Sequence, residues 1–189
     1  DIGALQAQGA HIDGAPGLGY VLRPGFTLPP LMFSHEEIEA LVLGTRWVAS
    51  RADTDLGRAA RNALDKIASV VPMDLRLELD SAALLVGPGE FLACGDRELS
   101  CMREAIRTGH KLRISYRDLR DQESSRTIWP CALGYFDRVR VLVAWCELRQ
   151  DFRHFRADRI TAVEPQGERY PHRRQALLQQ WRQQQGVEP

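Results

Sequence analysis

Hydrophobic and polar positions along this chain recur with two different periods, and the change of period divides it. Between Ser34 and Pro72 the apolar residues return every three or four positions. Ile38, Leu41, Val42, Val48 and Ala49 trace one helical face to about Ala52, and Leu56, Ala60, Leu64, Ile67 and Val71 trace a second over "TDLGRAARNALDKIASVV" (54–71). In "SHEE" (34–37) Glu37 stands three residues after Ser34, a capping box that starts the first of these helices, and Pro72 stops the second. "DRELSCMREAIRTG" (96–109) predicts a short amphipathic helix with Leu99, Met102 and Ile106 inward. From His110 the period falls to two. "LRISY" (112–116), "SRTIWPCAL" (125–133), "VRVLVAWCELR" (139–149), "FRHFR" (152–156) and "ITAV" (160–163) read as strands in a meander, the pattern of a small antiparallel barrel. "HRRQALLQQWRQQQ" (172–185) predicts a closing helix anchored by Leu177, Leu178 and Trp181.

The amino-terminal part is shorter-ranged. "DIGALQAQGA" (1–10) reads as the end of a helix, with Ile2 and Leu5 on one face and Gly9 as its C-cap. "HIDGAPGLGYVLR" (11–23) reads as a hairpin, "PGFTLPPLMF" (24–33) as a proline-punctuated linker, and "VGPGE" (86–90) as a loop. The fold class expected is α+β.

Composition narrows the function. The 189 residues, 44% apolar and 26% charged, are ordinary for one or two globular domains, and no apolar run approaches a membrane span. Cys94, Cys101, Cys131 and Cys146 lie 7, 30 and 15 positions apart without a C-x-x-C pair, which predicts reduced thiols in a cytoplasmic protein rather than disulfides or zinc. The five histidines form no H-x-x-x-H pattern, so no metal and no cofactor is expected. There is no G-x-S-x-G, and Gly14, Gly17 and Gly19 do not make G-x-G-x-x-G. An enzyme is not expected.

Charge is balanced overall, with 25 basic and 25 acidic residues, but not along the chain. Residues 1–100 hold 8 basic and 14 acidic groups, a net of −6, and residues 101–189 hold 17 and 11, a net of +6. Within "WCELRQDFRHFRADRI" (145–160) Arg149, Arg153, Arg156 and Arg159 are threaded between Trp145, Phe152 and Phe155. Only Lys66 and Lys111 are lysines against 23 arginines, so an arginine-rich solvated surface is the plain alternative. Guanidinium, however, is the side chain that grips phosphate or carboxylate with two parallel hydrogen bonds. If the strands pair in order as hairpins, their ends deliver Tyr116, Ser125, Arg126, Arg149 and Arg153 to one rim, with Arg156 and Arg159 further along the returning chain. We expect an anion-binding site there, with Glu147 and Asp158 as competing internal partners.

These stretches resemble a known family. "DIGALQAQGAHIDGAPGLGYVLRPGFTLPPLMFSHEEIEALVLG" is similar to the end of the recognition helix, the wing and the linker helices of the WYL-domain transcriptional regulators, in their YafY-like branch with a DeoR-type winged-helix head. "LRISYRD", "SSRTIWPCALGYF" and "VAWCELRQDFRHFRADRI" resemble the WYL domain itself. The resemblance implies a winged-helix remnant over 1–24, a helical linker and dimerisation region over 25–95, and an Sm/SH3-like β-barrel with flanking helices over 96–189. It implies an effector sensor whose barrel binds a nucleic-acid or nucleotide-like anion and thereby controls DNA binding by the winged helix. Carried over position by position, the ligand-binding residues are Tyr116, Ser125, Arg126, Arg149, Arg153, Arg156 and Arg159. The family's Trp-Tyr-Leu triplet corresponds here to Arg140-Val141-Leu142, so only the leucine is kept. The base-contacting end of a recognition helix would precede Asp1, so the DNA partner belongs to a head missing from this chain. The expected assembly is a homodimer, because the stripes of the two linker helices, with Leu43 and Trp47, are wider than a small linker domain buries alone. The competing reading is a stand-alone Sm/SH3-like module that binds single-stranded nucleic acid.

Overall fold

The structure is a computed structural model that describes residues 2–7, 12–22, 32–73, 86–87, 95–136 and 138–186. The Gly9 cap, most of the linker at 24–33 and of the loop at 86–90, and Cys94 lie outside the described residues. The chain forms two compact units, Asp1–Gly87 and Pro88–Pro189.

In the first unit, α1 (Ile2–Ala7) precedes a two-stranded antiparallel hairpin, β1 (Ile12–Ala15) and β2 (Gly19–Leu22), followed by α2 (His35–Arg51) and α3 (Thr54–Val70). The capping box is present: the Glu37 amide donates to Ser34 Oγ at 3.3 Å, and the Ser34 amide donates to the Glu37 carboxylate at 2.7 Å. Asp53 caps α3 by accepting from the Leu56 amide at 3.2 Å, and α3 ends just before Pro72. The two stripes meet, with Ile38 and Val42 buried against Leu64, Ile67 and Val71. Gly57 lets the helices approach closely, since a Cβ there would stand 3.2 Å from the Ala49 carbonyl oxygen. Leu41 and Val70 stay exposed. Among the described residues no helix is long and apolar enough to cross a membrane.

The second unit opens with α4 (Asp96–Thr108), which ends in the left-handed Gly109 (φ 73°) and leads directly into β3 (His110–Arg117). Then follow β4 (Glu123–Tyr135), β5 (Arg140–Cys146), β6 (Asp151–Arg156), a single 3₁₀ turn (Ala157–Arg159), β7 (Ile160–Arg169) and α5 (Arg174–Gln185). Neighbouring strands are antiparallel in the order β6-β5-β4-β3-β7. The expected meander is therefore present, but its strands do not close into a barrel: no ladder joins β6 to β7. The sheet curls instead. Laid flat, its edge strands would be about 19 Å apart, yet β6 and β7 are joined by only three residues. Tyr116 on β3 meets Phe155 on β6 edge to face at 5.1 Å, although β4 and β5 lie between those strands.

Two local features permit the curl. The long strand β4 pairs with β3 through residues 123–128 and with β5 through residues 128–135, so it bends over two partners. Its register shifts between Pro130 and Ala132, where proline has no N–H to give to a ladder and Cys131 becomes the extra residue of a bulge.

Period-two alternation gives the sheet two apolar faces. On one, Leu112, Ile114, Ile128, Leu142, Ala144, Cys146, Phe155 and Ile160 bury against Leu99, Met102 and Ala105 of α4. On the other, Cys131, Val143, Phe152 and Tyr170 bury against Leu177, with Trp129, Trp145 and Trp181 partly buried around them. Cys131 and Cys146 are 0% and 1% exposed, and burial pushes the Cys131 thiol up to about 12. Since the thiolate is the reactive species, both should resist alkylation in the native protein and react on unfolding in urea. Rapid native labelling of either, read by mass spectrometry, would show these strands to be wrongly placed.

Candidate functional site

Strand register decides where the expected site residues lie. Tyr116 lies opposite Ser124, Ser115 opposite Ser125, and Ile114 opposite Arg126. Residues directly opposed in an antiparallel pair project to the same face. Tyr116, Ser124 and Arg126 thus share the face of Ile114 and Leu112, at the outer limit of the first core. Ser125 stands with Ser115 on the opposite face. The hydroxyl beside the tyrosine is that of Ser124, which donates to the Tyr116 carbonyl oxygen at 3.3 Å. A cross-strand ion pair, Arg117 to Glu123 at 2.9 Å, marks this register and was the signal in the sequence that separates Ser124 from Ser125.

Arg149 is not at a strand end. The apolar alternation of β5 stops at Cys146, and Glu147–Gln150 form a turn in which the Arg149 and Gln150 amides donate to the Cys146 carbonyl at 3.2 and 2.8 Å. Gln150 takes the left-handed conformation (φ 50°) that reverses the chain. The Glu147 amide donates to the Thr127 carbonyl at 3.1 Å, which sets this turn beside the strand that carries Arg126. Arg153 lies opposite Ala144 and so on the face of the first core, whereas Arg156 lies opposite Val141 on the other face.

Carboxylates hold some of these arginines and not others. Asp158 takes Arg156 through two hydrogen bonds, from Nε at 3.1 Å and from Nη2 at 2.8 Å. This fork holds the Asp158 carboxyl below the ordinary carboxylate range and pushes the Arg156 guanidinium further up. Arg153 lies 3.4 Å from Asp151, an exposed pair of little energetic weight. Glu147 is turned elsewhere: it accepts from Trp129 Nε1 at 2.7 Å and pairs with Lys111 at 3.0 Å, and the tryptophan bond leads the causes that hold its carboxyl below the ordinary range. The guanidinium groups of Arg126, Arg149 and Arg159 consequently have no ion-pair partner among the described residues. Arg159 is near enough to lower the Asp118 and Asp158 carboxyls through space.

The arrangement offers the guanidinium groups of Arg126 and Arg149, free of ion pairs among the described residues, and the half-buried Tyr116 ring; guanidinium groups suit an oxyanion. Phe155 and Ser124 escaped the sequence reading. Phe155 escaped because its contact with Tyr116 crosses two intervening strands. Among the described residues no three or more His, Cys, Asp or Glu side chains are placed to hold a metal ion.

Residues 98–165, from within α4 to within β7, match the family described as the WYL domain. Among solved structures the chain is similar to the proteasome accessory factor B/C (PafBC) of Arthrobacter aurescens, with 25% sequence identity and a TM-score of 0.41. The similarity covers 76% of this chain and 22% of that one, so the chain spans about a fifth of the length of the protein it matches.

Proposed function

We propose, on the premise that residues 98–165 form a WYL domain, that this chain is the effector-sensing part of a transcriptional regulator. In this reading an anion of nucleic-acid or nucleotide type binds at the end of the curled sheet, and its binding controls the affinity of a winged helix-turn-helix head for DNA. Tyr116, Arg126, Arg149 and Arg159 receive the ligand, and Ser125, Arg153 and Arg156 flank them. The protein works in the cytoplasm as a homodimer through the helices of the 25–95 region, with no catalytic step and no cofactor.

The observation that carries the reading is the state of the arginines. Arg126, Arg149 and Arg159 form no ion pair among the described residues, while Glu147 is engaged by Trp129 and Lys111. Like charges brought together without counter-charges repel, and an anion relieves that repulsion. Each charge-assisted hydrogen bond removed should cost about 1.5–3 kcal/mol of binding, roughly ten- to a hundredfold in affinity.

The test is binding of single-stranded oligonucleotide and of free nucleotide to Arg126→Ala and Arg149→Ala. The control is Arg58→Ala, whose residue pairs with Asp55 on α3, in the other unit. The rim variants should bind about tenfold or more weakly, with a shallower salt dependence than the parent because fewer phosphates are neutralised. Rim variants that bind like Arg58→Ala would leave the arginines as solvated surface.

A further inference from the structure

A second basic site lies at the opposite end of β3. A cavity of about 400 Å³ opens where the α4–β3 turn faces the segment between β7 and α5, lined by Arg107, Arg169, His172, Arg173, Arg174 and Gln175 among others. None of its lining residues belongs to the rim described above. Arg169 pairs in register with His110, six residues before Tyr116 along β3. Six residues of strand span about 20 Å, so the two sites are separated by the length of the strand.

Four guanidinium groups line this cavity and, among the described residues, no carboxylate does. Arg107 is engaged by Glu104 of its own helix. Glu168, the neighbour of Arg169, is taken by Lys111 at 3.1 Å. Arg169, Arg173 and Arg174 have no ion-pair partner among the described residues. Arg174 is close enough to Tyr170 and Cys131 to oppose the upward push that burial gives both groups.

The start of α5 is built against the usual preference. Its N-cap is Arg173, whose side chain has no acceptor, and its first turn holds no acidic residue. Helix starts favour Ser, Thr, Asp or Asn as caps and negative charge in the first turn, because the first amides lack partners and the macrodipole is positive there. Here two arginines stand at that end instead. The backbone around the cavity is firmly held: the Tyr170 amide donates to the Gly109 carbonyl at 3.1 Å, and its buried hydroxyl donates to the Pro130 carbonyl at 3.1 Å. A fixed, roomy, carboxylate-free concavity with three unpaired guanidinium groups and an uncapped helix start is complementary in charge to an anion.

We propose that this cavity binds the terminal phosphate of a phosphate monoester of about mononucleotide size. A monoester carries close to two negative charges at neutral pH, twice that of a phosphodiester within a chain. It therefore matches three guanidinium groups and a helix start better than an internal backbone phosphate does. The volume is at the lower end of those that hold small ligands.

Because the rim site of the proposed function also takes anions, the test begins from the full chain carrying Arg126→Ala and Arg149→Ala, in which the rim is weakened and the cavity is unaltered. Calorimetry at constant ionic strength with a nucleoside 5′-monophosphate, the unphosphorylated nucleoside and inorganic phosphate should show one equivalent bound for the monophosphate. Inorganic phosphate should bind at the same site more weakly, and the nucleoside at least a hundredfold more weakly. Adding Arg169→Ala or Arg174→Ala should weaken the monophosphate about tenfold each, and Arg174→Lys should recover part of the loss. Residues 173 and 174 are exposed, and a thermal melt of each variant checks that it is folded. If the rim variant binds no monophosphate, or if Arg169→Ala with Arg174→Ala leaves its affinity unchanged, the cavity proposal is overturned and the rim reading stands untouched. If only an oligonucleotide binds, equally with and without a 5′-phosphate, the monoester assignment is wrong.

Discussion

Phe155→Ala is expected to cost the sheet unit about 3–5 kcal/mol, the range for removing a large buried aromatic side chain. Phe155 is 5% exposed and sits in the first core with Leu142, Ala144 and Leu112. It also carries the edge-to-face contact with Tyr116 that spans the curl of the sheet, and such pairs add about 0.5–1.5 kcal/mol beyond area. Against a total stability of about 5–15 kcal/mol the loss is a large share. For a unit of this size it should lower the melting temperature by more than about 10 °C. Tyr116→Phe, which keeps the ring, should stay within about 1 kcal/mol. A urea titration that places Phe155→Ala within 1 kcal/mol of the parent would mean that β6 does not fold over onto β3. The shape of the candidate site would then be lost with it.

Leu177→Ala probes the other face and should cost about 2–5 kcal/mol, with a different signature. Leu177 is 2% exposed and is the one buried residue of α5, packed on Cys131, Val143, Phe152 and Tyr170. The remaining attachments of α5 to this face include a half-exposed contact in which Trp181 Nε1 donates to His154 Nε2 at 3.0 Å. Elements held by few buried contacts open locally at low cost. Amide exchange should therefore rise strongly across residues 174–185 in this variant, while β3 and β4 stay protected by the first core. Trp129 and Trp145 should become more accessible to a fluorescence quencher. Unchanged exchange in α5 would show that the helix is held by something other than this packing. Since Arg173 and Arg174 start α5, its release should also disperse the cavity at its first turn.

Much of this architecture was legible because it is set by short-range rules. The Ser34–Glu37 box, the stop before Pro72 and the left-handed Gly109 each depend on a handful of consecutive residues, and each element begins or ends where those residues place it. Alternation in "LRISY" likewise matches β3, in which Leu112 and Ile114 are buried. The candidate site was legible only in part. Tyr116 and Arg126 lie on one face of the β3–β4 pair, because adjacent antiparallel strands bring their connected ends together. The strand read as 139–149 stops at Cys146, since nothing in a run of alternating residues says where ladder hydrogen bonding gives way to a turn. Ser125 and Ser124 differ by one residue, and a one-residue slip of register exchanges the faces of a strand.

Local periodicity and capping thus determined the elements, their order and the two apolar faces of the strands, because those depend on residues close along the chain. Closure, charge pairing and the cavity depended on residues far apart in it. Whether five strands shut into a barrel or curl with open edges rests on the bulge at Pro130–Ala132 and on a three-residue link, whose geometry emerges only when all the ladders form together. Which arginines remain available rests on where each carboxylate finds its shortest contact. Asp158 meets Arg156 two residues away, while Glu147 reaches back 18 residues to Trp129 and 36 to Lys111. The basic cavity joins the end of α4 to the start of α5 across more than sixty residues of sequence. Coulomb and hydrogen-bond energies depend on distance in space, and for such contacts only the packed sheet sets that distance.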